Sequence, residues 1–155
     1  MPDQSFTITR KNNATEKEGI RYMESLNQGY FFVDKDARRR ILELLQQPRN
    51  FARSFDMVHI PRLGGANLSI EVIETHIDEV TLIELKCTRA FLPENPKGFF
   101  FGATQNEFDF GERLGDKFRF CFVCLHPDSL SHALRSVPEV EAIKRTKRIQ
   151  YQINL

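Results

Sequence analysis

The sequence predicts a mixed α/β (α+β) domain with one central β-sheet flanked by helices. Three observations carry that expectation. Two segments near the N-terminus repeat apolar residues at helical spacing, the chain after Asn50 switches to apolar/polar alternation, and Lys117 to Leu125 is an aromatic and β-branched run with the character of a strand. With 155 residues, 41% of them hydrophobic and 28% charged, one core of ordinary size can form without a disulfide or metal staple.

Residues 1–13 are polar and pattern-free and predict a loose N-terminal arm, leaving residues 14–155 as a single domain. From Thr15, TEKEGIRYMESLN places Ile20, Met23 and Leu26 at helical spacing, with Glu16 and Glu18 near the positive end of the helix dipole. GYFFVD reads as a short apolar link. DARRRILELLQQ then repeats Ile41, Leu42, Leu44 and Leu45 until Pro48 stops a second helix. FDMVHI, LSIEVIE and EVTLIELKCT follow as three strands, separated by the turn-rich PRLGGAN and THID. RAFLPENPKG is a proline-containing loop. Phe99 to Phe101 form a short buried strand, weighed against base stacking, and a helix starts near Thr104. Lys117 to Leu125 is a strand, HPDSLSHALRSV a short helix, and IKRTKRIQYQINL a final alternating strand.

The formal net charge of +1 excludes a global basic field, so any polyanion must be met by local patches. No apolar run reaches the roughly 18 residues of a membrane span, and the N-terminus lacks a signal-peptide core, so a cytoplasmic protein without a membrane partner is expected. Three cysteines are too few for a secreted disulfide framework. Cys121 and Cys124 spell C-x-x-C, but three positions apart on a strand they face opposite sides, which argues for two buried thiols rather than a zinc site. His59, His76, His126 and His132 show no close ligand spacing, and Gly64-Gly65 lacks the following helix of a phosphate-cradling loop.

Glu84-Leu85-Lys86 is the most informative tripeptide. On a strand, residues two apart share a face, so Glu84 and Lys86 point the same way from the row that carries Val80 and Leu82. An acid and an ammonium leaving an apolar row at one strand end suggest a site, although an ordinary solvated ion pair is the competing reading. Asp56 shares the face of Val58 and Ile60 on the preceding FDM string. Two convergent carboxylates, with the Leu85 carbonyl as a third oxygen, suit a hard Mg²⁺ or Mn²⁺ ion, and Lys86 is then placed to orient or deprotonate a water and to offset charge on a phosphate.

In order along the chain, Asp56, Glu84, Lys86, Thr88, Asn106-Glu107 and Gly115-Asp116 resemble the motifs of restriction-endonuclease-like PD-(D/E)xK domains. Within that superfamily the similarity is greatest to the small nuclease-like domain at the C-terminus of No Vein-type proteins, and it covers about residues 50–155. The resemblance implies the restriction-endonuclease-like fold, with Asp56 and Glu84 as metal-binding acids, Lys86 as the catalytic lysine, and Gln105 and Asn106 beside the site. Because LSIEVIE reads as an additional strand between FDM and ELK, Glu71 remains an alternative first acid. Arg38 and Arg39, and separately Lys144, Arg145 and Lys147, supply local charge for phosphate contacts.

The leading expectation is a metal-dependent DNA endonuclease acting in restriction, defence or DNA processing, as a homodimer or in a larger complex. A non-catalytic module of the same fold, binding DNA or docking a protein, is the alternative, and an RNA substrate is not separable by sequence.

Overall fold

The computed structural model describes the backbone of residues 2–155 and the side chains of residues 13–155. It is a five-stranded mixed sheet flanked by helices, as the alternation and helical periods predict. Helix α1 spans Pro2–Ser25, strand β1 Tyr30–Phe32 and α2 Lys35–Leu44. They are followed by β2 (Met57–His59), α3 (Ile70–Thr75), β3 (Thr81–Thr88), α4 (Gln105–Leu114), β4 (Phe118–Cys124), β5 (Ser131–Arg135) and α5 (Val137–Ile143). The strands lie in chain order, antiparallel except for the parallel pair β3–β4, which α4 connects. Among the described residues no helix is long and apolar enough to cross a membrane.

The strict alternation of β3 gives the sheet two buried faces. Val80 and Leu82 join Phe118, Phe120 and Phe122 of β4 in the larger core, with Ile41 and Leu42 of α2, Phe110 of α4 and Val140 of α5. Ile83 and Leu85 point the other way, to Met23 of α1, Cys121 and Val123. Near its C-terminal end α1 approaches β3 so closely that a Cβ on Gly19 would sit 2.2 Å from Cys87 Sγ; only glycine permits this contact, which fixes the neighbouring Glu16 against the strand end. The three cysteines are free, and Cys121 and Cys124 do face opposite ways: Cys121 meets Met23, while Cys124 lies against the Ala90 carbonyl and Ser129.

Six segments differ from the sequence expectation. LSIEVIE is helical: Ser69 accepts from the Val72 N–H, and Ile73, a turn's spacing from Ile70, is the residue buried. A short β-branched run satisfies both periods, and the cap decides between them. β2 and β3 therefore pair directly, with Met57 opposite Ile83. HPDSLSHALRSV is a turn leading into β5. The Ser129 N–H bonds back to the His126 carbonyl, and Leu134 then packs on the smaller core while β5 pairs with β4, so tertiary pairing overrides local preference. The helix lies one segment later, where Ser136 and Glu139 form a capping box. Residues 144–155 form no strand, since their alternation finds no neighbouring backbone to pair with. Phe99 to Phe101 are loop rather than strand. GYFFVD supplies β1, and α1 begins at Pro2, so the backbone over 2–13 is helical where a loose arm is expected, while the side chains of 1–12 lie outside the described residues.

Candidate functional site

The site is built where β2 stops and β3 continues. Asp56 immediately precedes β2, and its backbone N–H still donates to the Ile83 carbonyl, which fixes it beside the strand. Its carboxylate Oδ2 accepts the Leu85 N–H at 2.9 Å, replacing the ladder bond that a longer β2 would have made. The Leu85 carbonyl leaves the strand on the same side as that N–H, toward Asp56.

Glu84 and Lys86 share the opposite-facing row with Leu82, as their spacing requires. Lys86 Nζ lies 3.3 Å from Glu84 Oε1 and 2.6 Å from Glu107 Oε1. Glu107 belongs to α4, where Thr104 and Glu107 form a capping box: its Oε2 accepts from the Thr104 hydroxyl at 2.9 Å and the Thr104 N–H at 3.3 Å. Both Glu107 oxygens are thus occupied, and the helix start holds the lysine in place. Sequence reasoning placed Asn106-Glu107 in the motif without giving Glu107 a partner. Its only sequence signal is the Thr-x-x-Glu spacing.

Glu84 Oε2 is buried and has no hydrogen-bond partner among the described residues. The Asp56 carboxyl interacts with Glu84, and two carboxyls share a hydrogen bond only when one of them carries a proton. Glu16, from α1, meets Asp56 in the same way. Burial, then the charge of Asp56, hold Glu84 well above the usual carboxylate range, and burial raises Asp56 and Glu16 as well. Lys86 moves up: burial alone would lower it, but Glu84 and Glu107 outweigh that cost, so it is an ammonium at neutral pH. Burial, followed by Glu16 and Asp56, pushes the adjacent Cys87 thiol up to about 12. Four carboxyls thus surround one ammonium, an arrangement that calls for protons or a further cation.

The other expected residues fall less closely together. Glu71 is exposed on α3, so the reading of it as a strand acid is corrected; Ser69 turns that segment into a helix and carries it away from the row of Glu84. Gln105 bonds Asp109 and Asn106 reaches the Asn50 carbonyl, so the helix entrance contributes Glu107 rather than these two. Arg38 acts electrostatically on Glu16 and has a buried Nε without a partner, whereas Arg39 is exposed. Lys144 and Lys147 both pair with Glu141, Lys147 also lies 5.5 Å over the Phe108 ring, and Arg145 is exposed.

Glu16 is the residue that sequence reasoning missed. Its position reads only as a helix N-terminal acid, and nothing local announces that Gly19 presses that turn of α1 onto β3.

The donor set fits a hard divalent ion on one observation, the unpartnered buried Oε2 of Glu84, a residue that interacts with the Asp56 carboxyl. Among the described residues no group of three or more His, Cys, Asp or Glu side chains is placed to hold a metal ion, so Asp56, Glu84, the Leu85 carbonyl and water would have to share the coordination. Comparison with protein-family models, with curated proteins and with solved structures gives no match.

Proposed function

We propose that the chain is a divalent-metal-dependent phosphodiesterase acting on DNA. The observation that carries this reading is the buried Oε2 of Glu84, left without a donor in a carboxylate whose other oxygen meets the Lys86 ammonium and which interacts with Asp56. Buried polar atoms are nearly always paired, and an acid pair without a donor is completed by a proton or a cation. The motif order from Asp56 to Asp116 supports the same reading by resemblance.

Asp56, Glu84 and the Leu85 carbonyl would hold Mg²⁺ or Mn²⁺. Bound there, the ion supplies an activated water and neutralises charge on a phosphate oxygen. The chain's own residues do the rest. Lys86, held as an ammonium by Glu84 and Glu107, cannot take a proton from water at neutral pH; its role is to donate hydrogen bonds to a phosphate oxygen as charge builds up during attack. Glu107 positions Lys86 and does not touch substrate. Arg38 and the basic segment from Lys144 to Arg148 supply phosphate contacts on either side of the chemistry. Cleavage of both strands of a duplex would take two copies or a partner subunit.

A second reading, a non-catalytic module that binds DNA or docks a protein, is favoured by one specific observation: Glu84, Lys86 and Glu107 satisfy much of one another's bonding and are 7–12% exposed. Incubation with supercoiled plasmid, linear duplex and single-stranded DNA, each with Mg²⁺, Mn²⁺ or EDTA, separates the two. The phosphodiesterase cuts only with a divalent ion, and Lys86→Ala cuts at least ~100-fold more slowly. Either ion also raises the melting temperature of the wild type, by roughly 2.7 kcal/mol of stabilisation at a hundred times its Kd, and fails to do so for Glu84→Gln. A folded wild type that neither cuts nor responds to either ion overturns the proposal and leaves the module.

A further inference from the structure

The loop between β3 and α4 carries Phe99, Phe100 and Phe101, and the structure separates the three. Phe99 and Phe101 turn inward, each with its ring centroid 5.0 Å from Phe122, and Phe101 also lies 6.2 Å from Phe120. Phe100, between them, is 93% exposed. The loop that holds it is tied down: Asn95 Nδ2 donates to the Phe122 carbonyl at 2.9 Å, the Leu92 N–H to Ser129 Oγ at 3.0 Å, and the Phe99 N–H to the Pro96 carbonyl at 2.9 Å. Phe100 is therefore a ring presented to solvent from an anchored backbone.

Its location ties it to the candidate site. Phe120 and Phe122, on which its neighbours rest, are the β4 register partners of Glu84 and Lys86. Phe120 also touches Phe108, 5.5 Å between centroids, and Phe108 carries the Lys147 ammonium over its face. A continuous aromatic layer thus links the acid–lysine row, the basic C-terminal segment and the base of Phe100.

From this geometry we infer that Phe100 is a stacking platform for an unpaired nucleobase of the nucleic-acid strand whose backbone lies at Lys86. The inference rests on the phosphodiesterase reading for its choice of ligand. Two features favour a base over a protein surface. Lys97, Gly98, Gly102, Ala103 and Thr104, the neighbours of Phe100 along the loop, are exposed and offer little large apolar surface of their own, whereas a protein partner needs a contiguous apolar patch. A single ring is sufficient for a base, because every base offers a π-face and the neighbouring cations hold its phosphates. The preferred substrate is then a strand with unpaired bases, such as a single strand, flap or frayed end, since a base inside a closed duplex has no free face.

The chain contains no tryptophan, so Phe100→Trp places a single reporter at the proposed platform. In EDTA, where no cutting occurs, titration with a fluorescently labelled single strand is followed both by its anisotropy and by the Trp emission. The expected result is saturable quenching that coincides with binding, a weaker response to a blunt duplex of equal length, and roughly ten-fold weaker single-strand binding by Phe100→Ala. Because the side chain is exposed, both variants should melt within a degree or two of wild type. Binding without quenching, Phe100→Ala affinity within two-fold of wild type, or no binding of any strand overturns the inference. Failure of the activity reading looks different: quenching and binding persist while no strand is cut with either divalent ion. Cutting that is unchanged in rate and strand preference in Phe100→Ala overturns the platform alone.

Discussion

Two clusters in this molecule have the same formal composition, one base between two acids, and opposite surroundings. On the surface, Arg40 of α2 bonds Glu43 of its own helix at 3.1 Å and Glu74 of α3 at 2.9 Å, with all three side chains 41–52% exposed. At the sheet, Lys86 of β3 contacts Glu84 of its own strand and Glu107 of α4, with all three almost enclosed. Each ties a helix to its neighbour. Water already solvates the Arg40 group, so its pairing adds little. Around Lys86 solvation has been surrendered, Glu84 keeps an oxygen with no donor, and Asp56 and Glu16 add further acid. Stability alone does not account for such an arrangement, because well-packed apolar side chains in that space would serve it as well or better. The enclosed cluster is therefore read as a site and the exposed one as a surface contact.

The largest effect that tests this contrast is expected from Glu107→Ala. Removing Glu107 takes away the shortest ion pair of the buried Lys86, its 2.6 Å contact, and the side-chain half of the capping box of α4, at a combined cost of about 3–5 kcal/mol. Thermal unfolding should fall by roughly ten degrees for a chain of this length. A fall of only a degree or two would mean that Lys86 readily finds solvent, and the cluster would then be no more enclosed in solution than that of Arg40.

A smaller effect, of the opposite sign, is expected when the excess of acid is reduced. Glu84, Asp56 and Glu16 all have folded-state pKa values raised above their ordinary ones, so the folded chain holds protons that the unfolded chain releases. Their contribution to stability is fully present below the unfolded carboxyl range, about pH 4, and is lost as pH rises through the raised folded values. Without divalent ions, and above the pH at which other groups unfold the chain, the melting temperature should decline from mildly acid pH toward pH 8. Glu84→Gln should flatten that decline and raise the melting temperature at pH 8 by a few degrees. Glu18, Glu139 and Glu141 shift the other way, but they lie at the surface, where screening keeps their effect small. A pH profile identical in wild type and Glu84→Gln would show that the three acids are not in competition. Divalent ion should restore the wild type at pH 8 and leave Glu84→Gln unchanged.

The contrast also explains how much of the site was legible in the chain. Glu84 and Lys86 were legible because the two-residue period of a strand leaves no freedom about which face they share. Asp56 was legible because a carboxylate between Phe55 and Met57 breaks an apolar alternation. Glu107 was half legible: Thr104-x-x-Glu107 marks a helix start, but its partner on β3 is set by how α4 docks, which no local spacing encodes. Glu16 was not legible at all, because a helix N-terminal acid reads the same whether it meets solvent or Asp56. The same limit governs the fold. β3 and β4 declare themselves by length and by apolar, β-branched and aromatic content, whereas LSIEVIE is too short to separate two periods, and β5 depends on a partner strand rather than on its own composition.

The smallest expected effect is the one that defines the comparison's other side. Arg40→Ala removes both surface contacts at once and leaves Glu43 and Glu74 in water, which solvates them without help. The melting temperature should move by no more than a degree or two, and the difference between wild type and variant should shrink further when salt is raised from 0.05 to 0.5 M, roughly from a 14 Å to a 4 Å screening length. Because α2 and α3 also meet through the apolar residues of the larger core, their packing should survive the loss. If Arg40→Ala instead costs as much as Glu107→Ala, and does so independently of salt, then burial is not what distinguishes the two clusters, and the enclosed acids around Lys86 lose their claim to be anything more than a second structural tie.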